Sequence, residues 1–167
     1  MANPLYGQNK FDGTVDNTTG SIVHFAPTAD GTHIADAESI VLAAADSGNK
    51  YFVNISTYTC SVRLPSCASS NGYEVSFYLD ITSDGETSKD LDIFTDATTE
   101  FIIGACVAGG VVYDSAADND LLRIDTSAGT AGAGDRVSLI CDGLHWYVAE
   151  ANTLTGSAFV SGTATRA

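Results

Sequence analysis

Positive charge is scarce in this chain: seven Lys and Arg stand against 21 Asp and Glu, a formal net charge of −14 at pH 7 over 167 residues. So acidic a chain repels phosphate backbones, which excludes nucleic-acid binding. An anionic membrane surface is disfavoured for the same reason. What the acidity supplies is solubility and mutual repulsion between copies. Proline is scarce as well, at three residues, and no apolar run is long enough for a bilayer-crossing helix. The opening MANPLYGQNKFDGT has neither a basic n-region nor an apolar h-region, so no secretory signal is expected and synthesis in a cytoplasm is the default.

Patterns that carry chemistry are also wanting. His24, His33 and His145 lie on separate segments and form no HExxH or other paired-ligand spacing. No Ser stands in a GxSxG elbow, since Gly156-Ser157-Ala158 lacks the closing glycine. No phosphate-binding motif occurs, and the loop Gly129 to Gly134 has no Lys. Carboxylate pairs suited to glycoside hydrolysis cannot be singled out, because 21 acidic residues guarantee accidental ones. The four cysteines, Cys60, Cys67, Cys106 and Cys141, contain no CxxC pair, which removes the common metal and redox motifs. Cys60 and Cys141 fall on the inward phase of their segments, where a thiol behaves as a small hydrophobe, and a cytoplasmic origin favours reduced thiols over two disulfides. Two acidic loops, Asp114 to Asp120 and Asp80 to Gly85, offer oxygen ligands of the kind Ca²⁺ takes. Neither follows the D-x-[DN]-x-[DN]-G order with its distal Glu, so a solvated turn is the simpler reading. Asn17-Thr18-Thr19 and Asn54-Ile55-Ser56 fit the glycosylation sequon without a secretory context to use it. The expectation is a chain with no catalytic residue, no metal and no cofactor.

What the sequence does have is alternation of period two between turn clusters. Its clearest stretch is Gly134 to Glu150, where Val137, Leu139 and Cys141 alternate with Arg136, Ser138 and Ile140, Asp142-Gly143 opens a turn, and Trp146-Tyr147-Val148 returns. That is a β-hairpin signature, and the chain's single Trp is its natural anchor. Tyr51, Val53 and Ile55 form a second inward series, Cys60, Val62 and Leu64 a third, and Tyr73, Val75, Phe77, Leu79 and Ile81 a fourth. Leu91 to Phe94, Phe101 to Val107, Val111 to Tyr113 and Leu121 to Ile124 read as further strands, and Ala158 to Val160 as a closing edge strand. The stretch AESIVLAAA is ambiguous between helix and strand, and a short strand followed by a turn is the preferred reading. Strands at this spacing predict an all-β fold, a single β-sandwich or jelly-roll-like domain over residues 36–167.

Residues 1–35 are predicted to be an extended N-terminal arm. Asn3-Pro4, Gly7, Asp12-Gly13, Gly20, Pro27 and Asp30-Gly31 interrupt the segment, and only Ile22 to Phe25 has the look of a strand. Such a segment builds no core of its own, yet Tyr6 and Phe11 are costly to leave in water, which favours docking. Pro4, Leu5, Tyr6 and Phe11 are the expected partner-binding residues of the arm.

The order IVLAAADSGNKYFVNISTYTCSVRLP, then GYEVSFYLDI, then GDRVSLICDGLHWYVAE resembles a domain of tailed-bacteriophage structural proteins, over roughly Ser39 to Glu150. There, a Thr/Val-rich strand ending in Leu-Pro, an aromatic-rich strand and a late G-D-x-V-x-L-x-x-[DN]-G-x-x-W-Y hairpin follow one another. A short chain with an N-terminal arm is similar to the capsid decoration (cement) proteins. The resemblance implies a non-enzymatic virion protein, a homotrimer bound to the major capsid protein on the outer capsid surface. Two other readings stand beside it. One is a tail-fibre or receptor-binding module recognising host surface glycan, for which Tyr58 and Tyr113 could form platforms. The other is a carbohydrate-active enzyme, which needs a cleft with paired carboxylates or a metal.

Overall fold

Alternation along Arg136–Cys141 puts Val137, Leu139 and Cys141 inward, with exposures of 0–1%, while Arg136, Ser138 and Ile140 stay half-buried on the other face. The same rule, one face buried and one solvated, organises most of the chain. A computed structural model describes residues 20–31, 39–84, 88–108, 111–114, 119–125, 132–153 and 158–162. In chain order its strands are β1 (Ile22–Phe25), β2 (Ile40–Val41), β3 (Lys50–Val53), β4 (Cys60–Arg63), β5 (Glu74–Leu79), β6 (Leu91–Phe94), β7 (Ile102–Ile103), β8 (Ala105–Ala108), β9 (Val111–Asp114), β10 (Leu121–Asp125), β11 (Arg136–Cys141), β12 (Trp146–Thr153) and β13 (Ala158–Gly162). Among the described residues, three short 3-10 turns, Ala44–Asp46, Cys67–Ser69 and Ile81–Ser83, punctuate the first half.

The strands form two mixed sheets. An eight-stranded sheet runs β1-β3-β5-β11-β12-β8-β9, with β7 also on β12, and a five-stranded sheet runs β13-β10-β6-β4-β2. From β1 to β6 the chain changes sheet at every strand. Each return to a sheet is therefore in the same direction as the last, and β1, β3 and β5 pair in parallel while β2, β4 and β6 do the same in the other sheet. This winding departs from the antiparallel connections that a jelly roll implies. Among the described residues, hairpins appear in the second half, β8 with β9 and β11 with β12, together with the antiparallel partners β6-β10-β13 and β5-β11.

One buried cluster takes residues from both sheets, among them Tyr51, Val53, Val75, Phe77, Leu139 and Trp146 from the larger and Cys60, Val62, Leu91, Ile93, Leu122 and Ile124 from the smaller. Trp146 is fully buried and meets Tyr73 edge to face, with centroids 5.4 Å apart. A bulge where Ser138 gives way to Leu139 leaves Ala149 as the extra residue of β12, so that Trp146 and Val148 face inward on one side of it and Ala151 on the other. The β6 strand is buried on both faces: Leu91 and Ile93 enter the main core, while Phe94 packs on Leu121 in a small cluster of its own. Ala158–Gly162 closes the smaller sheet as an edge strand, as its apolar triplet predicts.

Candidate functional surface

The outward face of the larger sheet carries a row of rings. His24 lies opposite Phe52, and Phe52 opposite Tyr78, in adjacent parallel strands. Parallel in-register pairing puts the side chains about 5 Å apart, which is stacking distance. The centroids are 5.2 Å and 5.1 Å apart with interplanar angles of 23° and 14°. Tyr78 is in turn opposite Arg136, whose guanidinium is ion-paired with Glu150. Stacking uses the ring faces on one another, so the row offers mostly ring edges to solvent rather than the flat platforms on which sugars stack. Sequence reasoning placed Phe52 and Tyr78 on the outward phase but missed the row. The available signal was that aromatic residues occupied positions where the alternation asks for polar ones.

Other exposed aliphatic side chains are scattered over strands and turns. Ile22 (68% exposed) and Val41 (53%) stand on β1 and β2, Val107 and Val112 face each other across β8 and β9, and Ile81 and Leu144 sit on turns. A cavity of about 400 Å³ lies where the chain passes from β1 to β2, lined by Phe25, Pro27, Asp30, Gly31 and Ser39 among others. The one carboxylate among its described lining residues is already engaged. Asp30 accepts from Lys89 Nζ at 2.9 Å and from the Thr59 amide at 2.9 Å, and those two bonds, the lysine's first, hold its carboxyl below the ordinary carboxylate range.

Buried polar groups serve as clasps. Glu100 Oε1 accepts from Ser66 Oγ at 2.9 Å and from the Cys67 amide at 2.8 Å, tying the Cys67–Ser69 turn to the loop after β6. Asp92, 3% exposed, takes a two-pronged ion pair from Arg123 at 2.5 and 2.7 Å. Cys60, Cys67 and Cys141 are buried and free. Desolvation pushes the Cys60 thiol up to about 12, and pushes Cys67 up as well, helped by the Cys141 thiol and the Glu100 carboxylate beside it. Thiols held protonated in this way are poor nucleophiles and poor metal ligands. Among the described residues, no group of three or more His, Cys, Asp or Glu is placed to hold a metal ion.

The residues singled out in the sequence are dispersed. Pro4, Leu5, Tyr6 and Phe11 lie outside the described residues, as do His33, Asn17 and the Gly156-Ser157 pair. Of the segment assigned to the arm, Ile22–Phe25 is hydrogen-bonded into the sheet beside β3. Tyr58 is half-buried. Asp80 spends its Oδ1 on the Thr82 amide and hydroxyl within its own turn, and Asp142 does likewise with the amides of Leu144 and His145, at 2.8 Å each. Those bonds, the His145 amide's first, lower the Asp142 carboxyl below its ordinary value. Asn119 and Asp120, at the described end of the Asp114 to Asp120 loop, are buried. His145 stacks on Phe101 at 5.3 Å. Comparison with known proteins finds no matching family model, no matching curated protein and no matching solved structure.

Proposed function

We propose that this chain is a capsid decoration protein of a tailed bacteriophage: a non-enzymatic homotrimer that binds the major capsid protein on the outer shell and stabilises it. The observation that carries the reading is the sequence resemblance, together with where its segments go. Its three segments contribute β2, β3 and β4, then β5, then β11 and β12; β3, β5, β11 and β12 lie side by side in the larger sheet, and β2 and β4 are neighbours in the smaller. The finer fold reading, a β-sandwich, draws support from the main core cluster that both sheets line, while the parallel winding from β1 to β6 counts against its jelly-roll-like part. The net charge of −14 suits a protein that must stay soluble until it meets a shell and then present a charged exterior. Such a protein works by burying surface across joints between shell subunits, and modest contacts repeated around the particle add by avidity.

Two measurements test the reading. A particle reconstruction should show trimeric density over three-fold or quasi-three-fold positions of a capsid. Removing residues 1–12 should abolish particle binding while the circular dichroism spectrum and the melting transition persist. Normal occupancy by the shortened chain sinks the role given to Pro4, Leu5, Tyr6 and Phe11. A monomer with glycan affinity and no affinity for particles replaces the reading with a receptor-binding one.

A further inference from the structure

Two thiols meet where the smaller sheet hands the chain to the larger. Cys67 opens the 3-10 turn Cys67–Ser69, on the crossing from β4 to β5, and Cys141 is the last residue of β11. Each is 1% exposed. Backbone bonds hold the two segments together: the Gly72 amide donates to the Cys141 carbonyl at 2.8 Å, and the Cys141 amide donates to the Tyr73 carbonyl at 2.9 Å. The Cys141 thiol donates to the Cys67 carbonyl oxygen at 3.8 Å, and its sulfur accepts from the Gly143 amide at 3.4 Å. That sulfur is therefore aimed at the Cys67 turn. The Cys67 thiol, held protonated first by desolvation, has the Cys141 thiol within hydrogen-bonding reach. Glu100, through its bonds to Ser66 Oγ and the Cys67 amide, anchors the start of the turn.

Cys60 differs. It is as deeply buried, but the side chains acting on its thiol are those of Ser39 and Asp92. Burial alone makes each of these cysteines a small hydrophobe. Cys67 and Cys141 are in addition the two ends of a loop of 74 positions that a single bond can close, and that loop contains every strand from β5 to β11.

We propose that Cys67 and Cys141 are a redox-closed lock, which a small-molecule disulfide oxidises to an intramolecular disulfide tying the β4–β5 crossing to the end of β11. One protein thiolate attacks a sulfur of the small disulfide and expels a small thiolate. The second protein thiolate attacks the protein sulfur of the mixed disulfide and expels the other. Two protein thiols and one small disulfide become one protein disulfide and two small thiols: two electrons pass to the small disulfide, and the two thiol protons end on the thiolates released. Both sulfurs are buried, so entry waits for the turn to open. Ala68 and Ser69 are exposed, and the bonds in the way are local, from the Ser69 amide to the Ser66 carbonyl and from the Ser70 amide to the Cys67 carbonyl. A chain folded in a reducing compartment is thus left unlocked, and it locks slowly on reaching an oxidising one. The lock belongs to the chain alone and stands apart from the decoration reading.

The test oxidises the purified full-length chain, folded and free of denaturant, with excess oxidised glutathione. Remaining thiols are then blocked with iodoacetamide and the chain is mapped without reduction by mass spectrometry. Cleavage after Lys and Arg puts the four cysteines on four separate peptides. The map should show the Cys67 peptide joined to the Cys141 peptide, with Cys60 still a free thiol. The locked chain should have a urea midpoint about 1 M above that of the reduced chain, and dithiothreitol should reverse the shift. Cys67→Ala and Cys141→Ala, each with the native circular dichroism spectrum, should show no shift. The map is made on the native sequence, so it decides the matter even where a variant does not fold. Both thiols surviving exhaustive oxidation, glutathione retained on either one, a link to another cysteine, or a lock that leaves the midpoint unmoved or lowers it each overturns the proposal.

Discussion

Trp146 concentrates more apolar area than any other fully buried side chain, and it sits where β12 begins, between Tyr73 and the parallel contact with Ile102. Truncating a buried aromatic removes its transfer energy and leaves a hole that β-strands cannot collapse to fill. Trp146→Ala should cost about 3–5 kcal/mol, read as a lower urea midpoint by circular dichroism. The buried thiols make a second residue-scale prediction. In the folded chain burial pushes the Cys60 thiol up to about 12, against 9.0 for the unhindered thiol. Its contribution to stability is therefore complete below pH 9 and drains away as pH rises from 9 towards 12, because the unfolded chain releases the proton first. The loss is up to about 1.4 kcal/mol per pH unit for each such thiol. Urea midpoints measured between pH 8 and 11 should fall less steeply for Cys60→Ala than for the native chain. Equal slopes would show that the thiol does not take part.

At the scale of the element, β1 is attached by a narrow junction. Gly20 has φ +76° and lies so close to Gly48 that a Cβ would stand 1.8 Å from the Gly48 carbonyl oxygen. Next to it the Ser21 amide donates to Asn49 Oδ1 at 2.6 Å, and the Lys50 amide donates to the Ser21 carbonyl at 2.8 Å. Gly20→Ala should lift β1 from β3 without unfolding the domain. Hydrogen exchange at the Lys50 and Asn54 amides should accelerate at least about tenfold, while β5 and β11 keep their protection. The elements themselves were largely legible in the sequence, because burying one face of a strand writes period two into it: Val137, Leu139, Cys141 and Val75, Phe77, Leu79 all point inward as read, whereas Ile81, read as the next inward position, lies 76% exposed on the 3-10 turn that follows β5. Pairing was not legible. Alternation is the same for parallel and antiparallel neighbours, so nothing in Tyr51-Phe52-Val53 announces β5 as a parallel partner. The β6 strand hid its second buried face because Asp92 reads as a solvent position until Arg123 is seen to neutralise it. The row His24, Phe52 and Tyr78 escaped for a related reason, since its members meet only when three separate segments are laid in register.

For the whole molecule, the sheet order sets a schedule that the folded state alone does not advertise. The first six strands wind in sequence order, so each can join its sheet as soon as the next one or two are in place. Two are exceptions: β6 waits for β10, and β5 waits longest. Its second neighbour is β11, and the hydroxyls of Ser76 and Ser138 that meet across them are 62 positions apart. Closing a loop of that size costs entropy before any contact rewards it. Refolding from urea should therefore be slow for a chain of this length, on the millisecond-to-second scale of non-local β proteins, and a stopped-flow trace finishing within microseconds would contradict this. On the ribosome the delay becomes spatial. At ~5–20 residues per second, the interval between the emergence of Leu79 and that of Cys141 is several seconds. Through that interval β5, with Val75, Phe77 and Leu79 on one face, waits with one edge bare. A crowded translation complex then becomes the place where this protein is most exposed to aggregation, and slowing synthesis across residues 80–135 would lengthen the risk rather than help the fold.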